Sequence, residues 1–337
     1  MRLYEIRIEP VSFLGTPLKG DTIFGQFCWQ AKYDAELLNG GLEKWIACYD
    51  EKPFAIFSTA WPIIKGKNAY SYALKRPDYP LKIFSKAEFA DKGEFYERRK
   101  ERFEKTWMLV GRDFKVDLSL NNLRTDAEIM SEVRSLDRVM KKHQYRKVKS
   151  DFVQAHNTIN RTTMTTGEGL FAPYSKRNYV YSPGIELAIF VLLDLEATDI
   201  ERVAKAFQRI GKLGFGRDAS TGLGRFIVSG TDEITIPKKN GADACYTLSP
   251  AVPERDLYEG IFFSPFTRFG RHGDILATSP HPFKAPIIMA DEGAVFFPKD
   301  DRAWQKPYLG RAITGISKVE ENTVAQGYSI YLPIRLE

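Results

Sequence analysis

The order of its predicted strands and helices places this 337-residue chain in the α+β class. With one long insertion set aside, residues 1–237 give the succession strand–helix–strand–strand–helix–strand, the pattern of a ferredoxin-like (RRM-like) domain. Residues 245–337 hold only short strand patterns separated by turns. They predict a mostly β second domain, which we interpret as a degenerate ferredoxin-like copy of the first.

The elements of the first domain follow from alternating and periodic apolar residues. Strands are predicted at residues 2–10, 53–61, 185–195 and 224–229. The run at 185–195 is the most apolar and indicates a buried central strand. Asp21 and Asp199 are expected to cap the two helices, because a carboxylate can accept from free backbone N–H groups there. The second helix has an apolar face consisting of Val203, Ala206, Phe207 and Ile210.

A charged insertion at approximately residues 63–150 interrupts this pattern. Helices are predicted at 91–105 and at 126–142, and we interpret the region as a thumb that projects from the domain. Its end carries a basic run consisting of Arg138, Lys141, Lys142, Arg146, Lys147 and Lys149. A solvated helix face and an RNA contact explain this run equally well.

Composition limits the classes of partner and site. The net charge of +6 and pI near 9.0 favour a polyanionic partner. Cys28, Cys48 and Cys245 are widely spaced, so they predict neither a zinc site nor disulfides but a reduced, cytoplasmic protein. No run of eighteen apolar residues occurs, so no membrane span is expected. We expect no cofactor and no metal.

A glycine-rich stretch at 211–225, GKLGFGRDASTGLGR, is the main candidate site. Glycine lets a backbone approach a ligand closely, and basic and hydroxyl side chains suit phosphate oxygens. The candidate ligand-binding residues here are Gly214, Phe215, Gly216, Arg217, Ser220, Thr221 and Gly222. The stretch follows a helix and precedes a strand, and it lacks GxxxxGK[ST], which argues against an ATPase or a dehydrogenase.

Two further segments carry suitable side chains. Asn157, Asn160 and Arg161 in HNTINRTT offer the amide and guanidinium groups used on RNA. A polar hairpin that satisfies its own backbone is an equal alternative for this segment. Lys19 and Gly20 stand where a strand passes into a helix, a suitable place to hold an anion.

Evidence for catalysis is weak. The chain contains no GxSxG, no HExxH and no DxD-type paired carboxylates at a strand end. His156 could act as general base in a metal-independent ribonuclease. A single histidine in a polar strand is more often structural.

Together these stretches resemble the RAMP proteins of CRISPR effector complexes. The resemblance rests on KGDTIFGQFCW from residue 19, HNTINRTT followed by GLF, and GKLGFGRDASTGLGRF from residue 211. Within the RAMP proteins the chain is similar to subunit four of type III-A Csm complexes, in the Cas-five group. The terminal AQGYSIYLPI is similar to the closing strand of that subunit. The matches extend from residue 19 to 333, except over 65–150.

The resemblance implies a non-catalytic crRNA-binding subunit in antiviral defence. Such a subunit holds the repeat-derived 5′ handle of the crRNA and caps the base of the complex. Its implied partners are a large polymerase-like (Cas-ten group) subunit and a backbone RAMP subunit of the Csm subunit three type. By resemblance, an Arg217→Ala and Arg161→Ala variant should bind the handle weakly and keep its fold. A metal-independent endoribonuclease that processes CRISPR repeat RNA, and a pure protein–protein scaffold, stay as alternatives.

Overall fold

A computed structural model of the chain describes residues 1–66, 70–79, 92–136, 145–239 and 241–336. These residues form mostly strands with few helices, so the predicted α+β class is confirmed. The helices are α1 Gly20–Tyr33, α2 Leu42–Ile46, α3 Lys92–Glu104, α4 Asp126–Leu136 and α5 Ile200–Leu213. The strands are β1 Arg2–Pro10, β2 Ala55–Phe57, β3 Trp61–Lys65, β4 Tyr70–Lys75, β5 Trp107–Gly111, β6 Leu123–Arg124, β7 Lys149–His156, β8 Tyr174–Tyr181, β9 Glu186–Leu193, β10 Phe226–Ile234, β11 Ala244–Thr247, β12 Tyr258–Phe262, β13 Pro265–Arg268, β14 Ile287–Ala290, β15 Val295–Pro298, β16 Tyr308–Gly310 and β17 Tyr328–Ile334. None of the helices in these ranges is long and apolar enough to cross a membrane.

An antiparallel sheet with the order β10-β1-β9-β3-β4-β5-β6 organises the chain up to β10, and β2 also pairs with β9. Helices α1 and α5 pack against each other, and α5 packs on β10. The predicted apolar face of α5 is buried, and Asp199 caps the helix by accepting from Arg202 N at 2.9 Å. The capping residue and the apolar periodicity of α5 depend only on neighbouring residues, so both could be predicted from the sequence.

The strand predicted at 53–61 is two strands, β2 and β3, with a break between them. At the break the Ser58 hydroxyl accepts from Phe190 N at 2.8 Å. This side chain thereby takes a hydrogen bond that a backbone carbonyl would accept in a continuous ladder. The chain then continues through Pro62, where the prediction ended the strand.

The predicted projecting thumb is wrong for the described part of 63–150. Strands β4, β5 and β6 extend the main sheet, and α4 packs against β3 with Ile129 and Met130 fully buried. The helix predicted at 91–105 is α3, and the second charged helix is observed as α4. The predictions for Arg138, Lys141 and Lys142, and for the end of the second charged helix, concern residues outside the described ranges.

The last hundred residues form a sheet with the order β12-β15-β11-β17-β16 and a separate pair, β13–β14. One of the short strand patterns of this part, GRAITGI at 310–316, does not form a strand: only Gly310 lies in β16, and Ile313 makes a single bridge to Ala325. The side chain of Gln326 joins this part to the main sheet. Its oxygen accepts from Phe57 N at 2.9 Å, and its nitrogen donates to Phe57 O at 2.7 Å.

The main hydrophobic core extends from the main sheet into the C-terminal sheet. It contains residues of β1, β9 and α5 together with Tyr246, Tyr328 and Ile330 from the C-terminal sheet. Burial of this shared apolar surface stabilises the two parts together.

Candidate RNA-binding surface

A long hairpin carries the polar segment identified in the sequence. Strands β7 and β8 pair antiparallel from Lys149↔Tyr181 to His156↔Tyr174, which confirms the expected hairpin. The connection at 157–173 is exposed over most of its length, and Asn157 and Arg161 are exposed within it. Asn160 instead forms a turn: its N–H donates to Thr165 O at 3.0 Å, and its side-chain oxygen accepts from Thr162 N at 2.9 Å.

The glycines at 211–225 serve backbone packing. Gly214 and Gly216 have φ values of 107° and 74°, a region that side chains rarely adopt. A Cβ at Gly216 would lie 2.6 Å from Thr16 Cβ, and one at Gly214 would lie 2.4 Å from Leu223 O. Only at Gly222, within the candidate set, would a Cβ meet open space. The absence of a side chain at Gly214 and Gly216 therefore allows close packing within the protein, whereas the sequence analysis expected it to allow a close approach to a ligand.

Two other candidate residues in this loop, Phe215 and Arg217, make contacts within the protein. Phe215 is 1% exposed and belongs to the core. Arg217 Nε donates to Gly15 O at 3.1 Å, and its Nη2 donates to Arg177 O at 2.5 Å and to Asn178 Oδ1 at 3.0 Å. This guanidinium binds the glycine-rich loop to β8. We therefore expect Arg217→Ala to lower the stability of the fold, in addition to any effect on binding.

Three segments come together around this junction. Lys176 Nζ on β8 lies 2.7 Å from Asp218 Oδ1 in the glycine-rich loop. Leu14 N donates to Tyr179 O at 2.9 Å, so the segment 11–17 runs along the outer edge of β8. Phe13 packs edge-on against Phe152 with ring centroids 4.9 Å apart. The hairpin is thus fixed beside the glycine-rich loop, as RNA binding by both segments would require.

Basic and hydroxyl side chains are exposed around the junction, beside apolar ones such as Phe13 and Leu213. Ser220 and Thr221 are exposed, and Thr221 donates to Asp218 O at 2.9 Å. Lys212, Arg225 and Arg177 are exposed cations outside the candidate set: Lys212 and Arg225 flank the loop, and Arg177 lies on β8. Lys212 and Arg225 could have been selected from the sequence because they stand beside the glycines. No sequence pattern marks Arg177 as a candidate.

Lys19 and Gly20 lie at the start of α1 in closely packed surroundings. Lys19 Nζ is hydrogen-bonded to Asp291 and, at 2.6 Å, to Glu292 Oε2. A Cβ at Gly20 would lie 2.1 Å from Phe57 O. The ammonium group already has two carboxylate partners, and the glycine allows the helix to approach β2.

Asp21 does not cap α1. The helix begins at Gly20, and its capping position, Lys19, makes no side-chain cap hydrogen bond. The Asp21 carboxylate instead accepts from Arg268, with Nη2 and Oδ1 2.8 Å apart. The predicted cap was wrong because Arg268, the partner of Asp21, lies 247 residues away in the sequence.

The cluster around Glu292 is half-buried and ionic. Burial raises the pKa of Glu292 to about 7, and the adjacent Asp291 carboxylate acts in the same direction. Burial acts to raise the pKa of Asp291 as well. The hydrogen bond with Glu292 and the charge of Lys19 outweigh this effect and keep the pKa of Asp291 below its ordinary value. Burial also lowers the pKa of Lys149, whose ammonium lies 4.5 Å from the Tyr179 ring. This cluster joins the base of the hairpin to α1 and to the C-terminal part.

His156 does not present a base to solvent at Nε2. Its ring stacks on Tyr174 with centroids 5.2 Å apart and an angle of 8°. Nε2 is buried and has no hydrogen-bond partner within the described ranges. A general base must reach the proton that it removes, so this geometry does not support the ribonuclease role. Nor do the described residues hold a group of three or more His, Cys, Asp or Glu side chains suited to a metal ion.

A groove of about 630 Å³ lies beside the hairpin base, between the end of β1, β3 and β9. Glu9 and Glu186 line it, and Lys65 is paired with Glu186. Two carboxylates and one neutralised cation make this groove a poor site for phosphates.

Comparison with known proteins identifies the fold. No protein-family model matches the chain, and no curated protein matches it in sequence. A chain of the Csm3–Csm4 subcomplex of the type III-A CRISPR-Cas interference complex superimposes with a TM-score of 0.57 at 14% identity, covering 99% of this chain and 100% of that chain. A chain of the Csm1–Csm4 cassette in complex with pppApA gives 0.55 at 14% identity, covering 100% and 99%. The cassette in complex with cA4 gives 0.53 at 13% identity, covering 99% of both chains.

Csm4 is the component that these assemblies share. The similarity extends over the full length of the chain, including the region 65–150 that the sequence motifs do not reach. The chain therefore has the fold of chains found in these type III-A CRISPR-Cas assemblies.

Proposed function

We propose that this chain is a non-catalytic crRNA-binding subunit of a type III CRISPR effector complex, and that it holds the repeat-derived 5′ handle. The observation that supports this most is the junction of the hairpin with the glycine-rich loop. Arg217 and Lys176 fix two segments of exposed amide, hydroxyl and basic groups side by side. Single-stranded RNA is held by such groups along its backbone and by stacking on exposed rings.

In this proposal the residues divide into two roles. Arg161, Asn157, Ser220 and Thr221 are exposed and contact the RNA, together with Lys212. The remaining candidates, Lys19, Gly20, Asn160, Gly214, Phe215, Gly216, Arg217 and Gly222, shape and support the surface.

The domain organisation is part of the same proposal. Residues 1–237 are a ferredoxin-like domain, supported by the order β10-β1-β9 followed by β2 and β3, with α1 and α5 packed together. Residues 245–337 are the C-terminal domain. The proposed partners are the large polymerase-like subunit and a backbone RAMP subunit. Solved structures with this fold come from Csm1–Csm4 and Csm3–Csm4 assemblies, which supports the choice.

The test removes two exposed cations, one from each segment. An Arg161→Ala and Lys212→Ala variant should bind a labelled 5′-handle RNA more weakly. Its plot of log affinity against log salt should be shallower by about 1.4, because each phosphate contact to a single strand contributes about 0.7. Filter binding at several salt concentrations measures both quantities.

The matched control is a Lys299→Ala and Lys318→Ala variant, which loses the same charge from exposed sites in the C-terminal part. It should keep wild-type affinity and slope. If both variants lose affinity equally, the binding is a response to net charge and the assigned surface is wrong. Specific cleavage of repeat RNA in EDTA that is lost in His156→Ala would replace the proposal with the ribonuclease.

A further inference from the structure

The groove beside the hairpin base has a different lining from the RNA-binding surface next to it. Its volume of about 630 Å³ lies in the range of small-molecule sites. We name it the acidic groove, because the carboxylates of Glu9 and Glu186 lie in it. The other walls are largely apolar and consist of Val11, Ile63, Val133, Val180, Pro183 and Ile185.

Phe13 joins the acidic groove to the proposed RNA-binding surface. This residue lines the groove and is 46% exposed. Its carbonyl accepts from Gly224 N at 2.6 Å, and its ring packs edge-on against Phe152 of β7. Phe13 is therefore fixed between the glycine-rich loop and the hairpin, beside any RNA strand that both segments hold. Exposed rings in such a position stack on nucleobases.

The two serine hydroxyls of the groove have already used their protons. Ser12 Oγ donates to Phe13 O at 3.2 Å, and Ser182 Oγ donates to Lys147 O at 2.6 Å. A hydroxyl has a single proton to donate, so toward a ligand these side chains offer acceptor oxygen.

Glu9 is the carboxylate of the groove that is left to bind a ligand. Glu186 is paired with Lys65, which neutralises the cation of the groove. The Glu9 side chain is exposed, and within the described ranges its carboxylate makes no hydrogen bond or ion pair. An ionised carboxylate only accepts hydrogen bonds, so this end of the groove suits a group that donates them.

A nucleobase fits this combination of groups, and a phosphate does not. The apolar walls and the Phe13 ring suit the faces of a planar base, and the Glu9 carboxylate suits its donor edge. The phosphates of the same nucleotide have a cation close by, outside the groove: Arg225 is exposed, and its backbone N–H donates to Ser12 Oγ at 2.8 Å. Base and backbone are thereby directed to separate sides of the segment 11–13.

The choice among the bases follows from their donor patterns. Guanine presents two adjacent donors, N1–H and the N2 amino group, which match the two oxygens of one carboxylate. Adenine and cytosine present one amino group beside an acceptor, and uracil presents one N–H between two carbonyls. Because a carboxylate repels those neighbouring acceptors, Glu9 favours guanine.

We propose that the acidic groove binds a guanine base of the RNA, with Glu9 accepting from its N1–H and N2 amino group and Phe13 stacking on its ring. The inference rests on the proposed function and deepens it. The hairpin and the glycine-rich loop hold the backbone without regard to sequence, and the groove reads one base.

The test uses oligouridylates of about ten nucleotides, each with a single guanosine at a different position, and the all-uridine RNA. Filter binding should show that guanosine at one position raises the affinity of the wild type by about tenfold. Inosine at that position should lose most of this gain, because it lacks the N2 amino group. Glu9→Gln should bind the guanosine RNA and the all-uridine RNA about equally. Phe13→Leu should weaken the guanosine and inosine RNAs by the same factor, because stacking does not involve the amino group.

The matched control is Glu321→Gln, which removes the same charge from an exposed site in the C-terminal part. It should keep the full preference for guanosine over inosine. Equal affinity of the wild type for every RNA of the series would overturn this inference and leave the proposed function in place. A guanosine preference that Glu9→Gln retains would also overturn it, and so would a preference for adenosine or cytidine. A wild type that binds none of these RNAs, the all-uridine RNA included, would remove the proposed function and the inference together.

Discussion

Arg217 offers a direct test of how the glycine-rich loop is held to the hairpin. Its guanidinium donates to Gly15 O, Arg177 O and Asn178 Oδ1, and the side chain is 36% exposed. Truncation to alanine removes all three hydrogen bonds. It also leaves Asn178 Oδ1, on a residue that is 1% exposed, without this donor.

The expected loss of unfolding free energy depends on how far each hydrogen-bond acceptor is buried. The bonds to Gly15 and Asn178 are partly buried and contribute about 1 kcal/mol each, and the stranded Asn178 oxygen adds about as much. The bond to Arg177 O and the ion pair with Asp218 are exposed enough to contribute little. The free energy of unfolding should therefore fall by about 2–3 kcal/mol in Arg217→Ala.

Urea unfolding measures this change. Arg217→Lys should lose most of the same stability, because lysine keeps the charge but lacks the planar fork of donors. Lys212→Ala, at an exposed site in the same loop region, should change stability by less than about 0.5 kcal/mol. Equal unfolding midpoints for Arg217→Ala and the wild type would show that Arg217 does not hold the glycine-rich loop to β8.

Two further predictions concern the glycine-rich loop and the buried carboxylates. Gly216→Ala should destabilise the protein more than Gly222→Ala by about 1–3 kcal/mol, because both have positive φ but only the former would press its methyl on Thr16; similar urea midpoints would contradict this. Glu292 has a folded-state pKa raised from 4.5 to about 7, so its protonation stabilises the fold below about 4.5, and this stability is lost as the pH rises through about 7. Glu292→Gln should flatten the pH dependence of the unfolding free energy between about pH 5 and pH 8; an unchanged dependence would show that Glu292 ionises normally.

Local signals in the sequence predicted much of the fold. The bounds of β1 and the capped, amphipathic α5 depend on residues within one element, so they could be read directly. The break between β2 and β3 could not, because it depends on a contact between Ser58 and Phe190, 132 residues apart. The insertion was misread for a similar reason: a charged outer surface says little about strand pairing beneath it.

The location of the candidate site was predicted better than the roles of its residues. The glycine-rich loop and the hairpin do meet, but Arg217 is fixed by Gly15, 202 residues away. Lys19 reads as a phosphate ligand until Asp291, 272 residues away, is placed beside it. Residue types indicate which groups a ligand prefers, whereas long-range packing decides which groups are still free to bind it.

The bond pair between Gln326 and Phe57 has a consequence for synthesis of the protein. The amide of Gln326 completes the backbone hydrogen bonding of β2 across a separation of 269 residues. During translation β2 can pair with β9, but Phe57 N and O depend on water until the last part of the chain leaves the ribosome. A nascent chain that stops short of residue 326 exposes an open strand edge, which is a target for chaperones and proteases rather than for RNA.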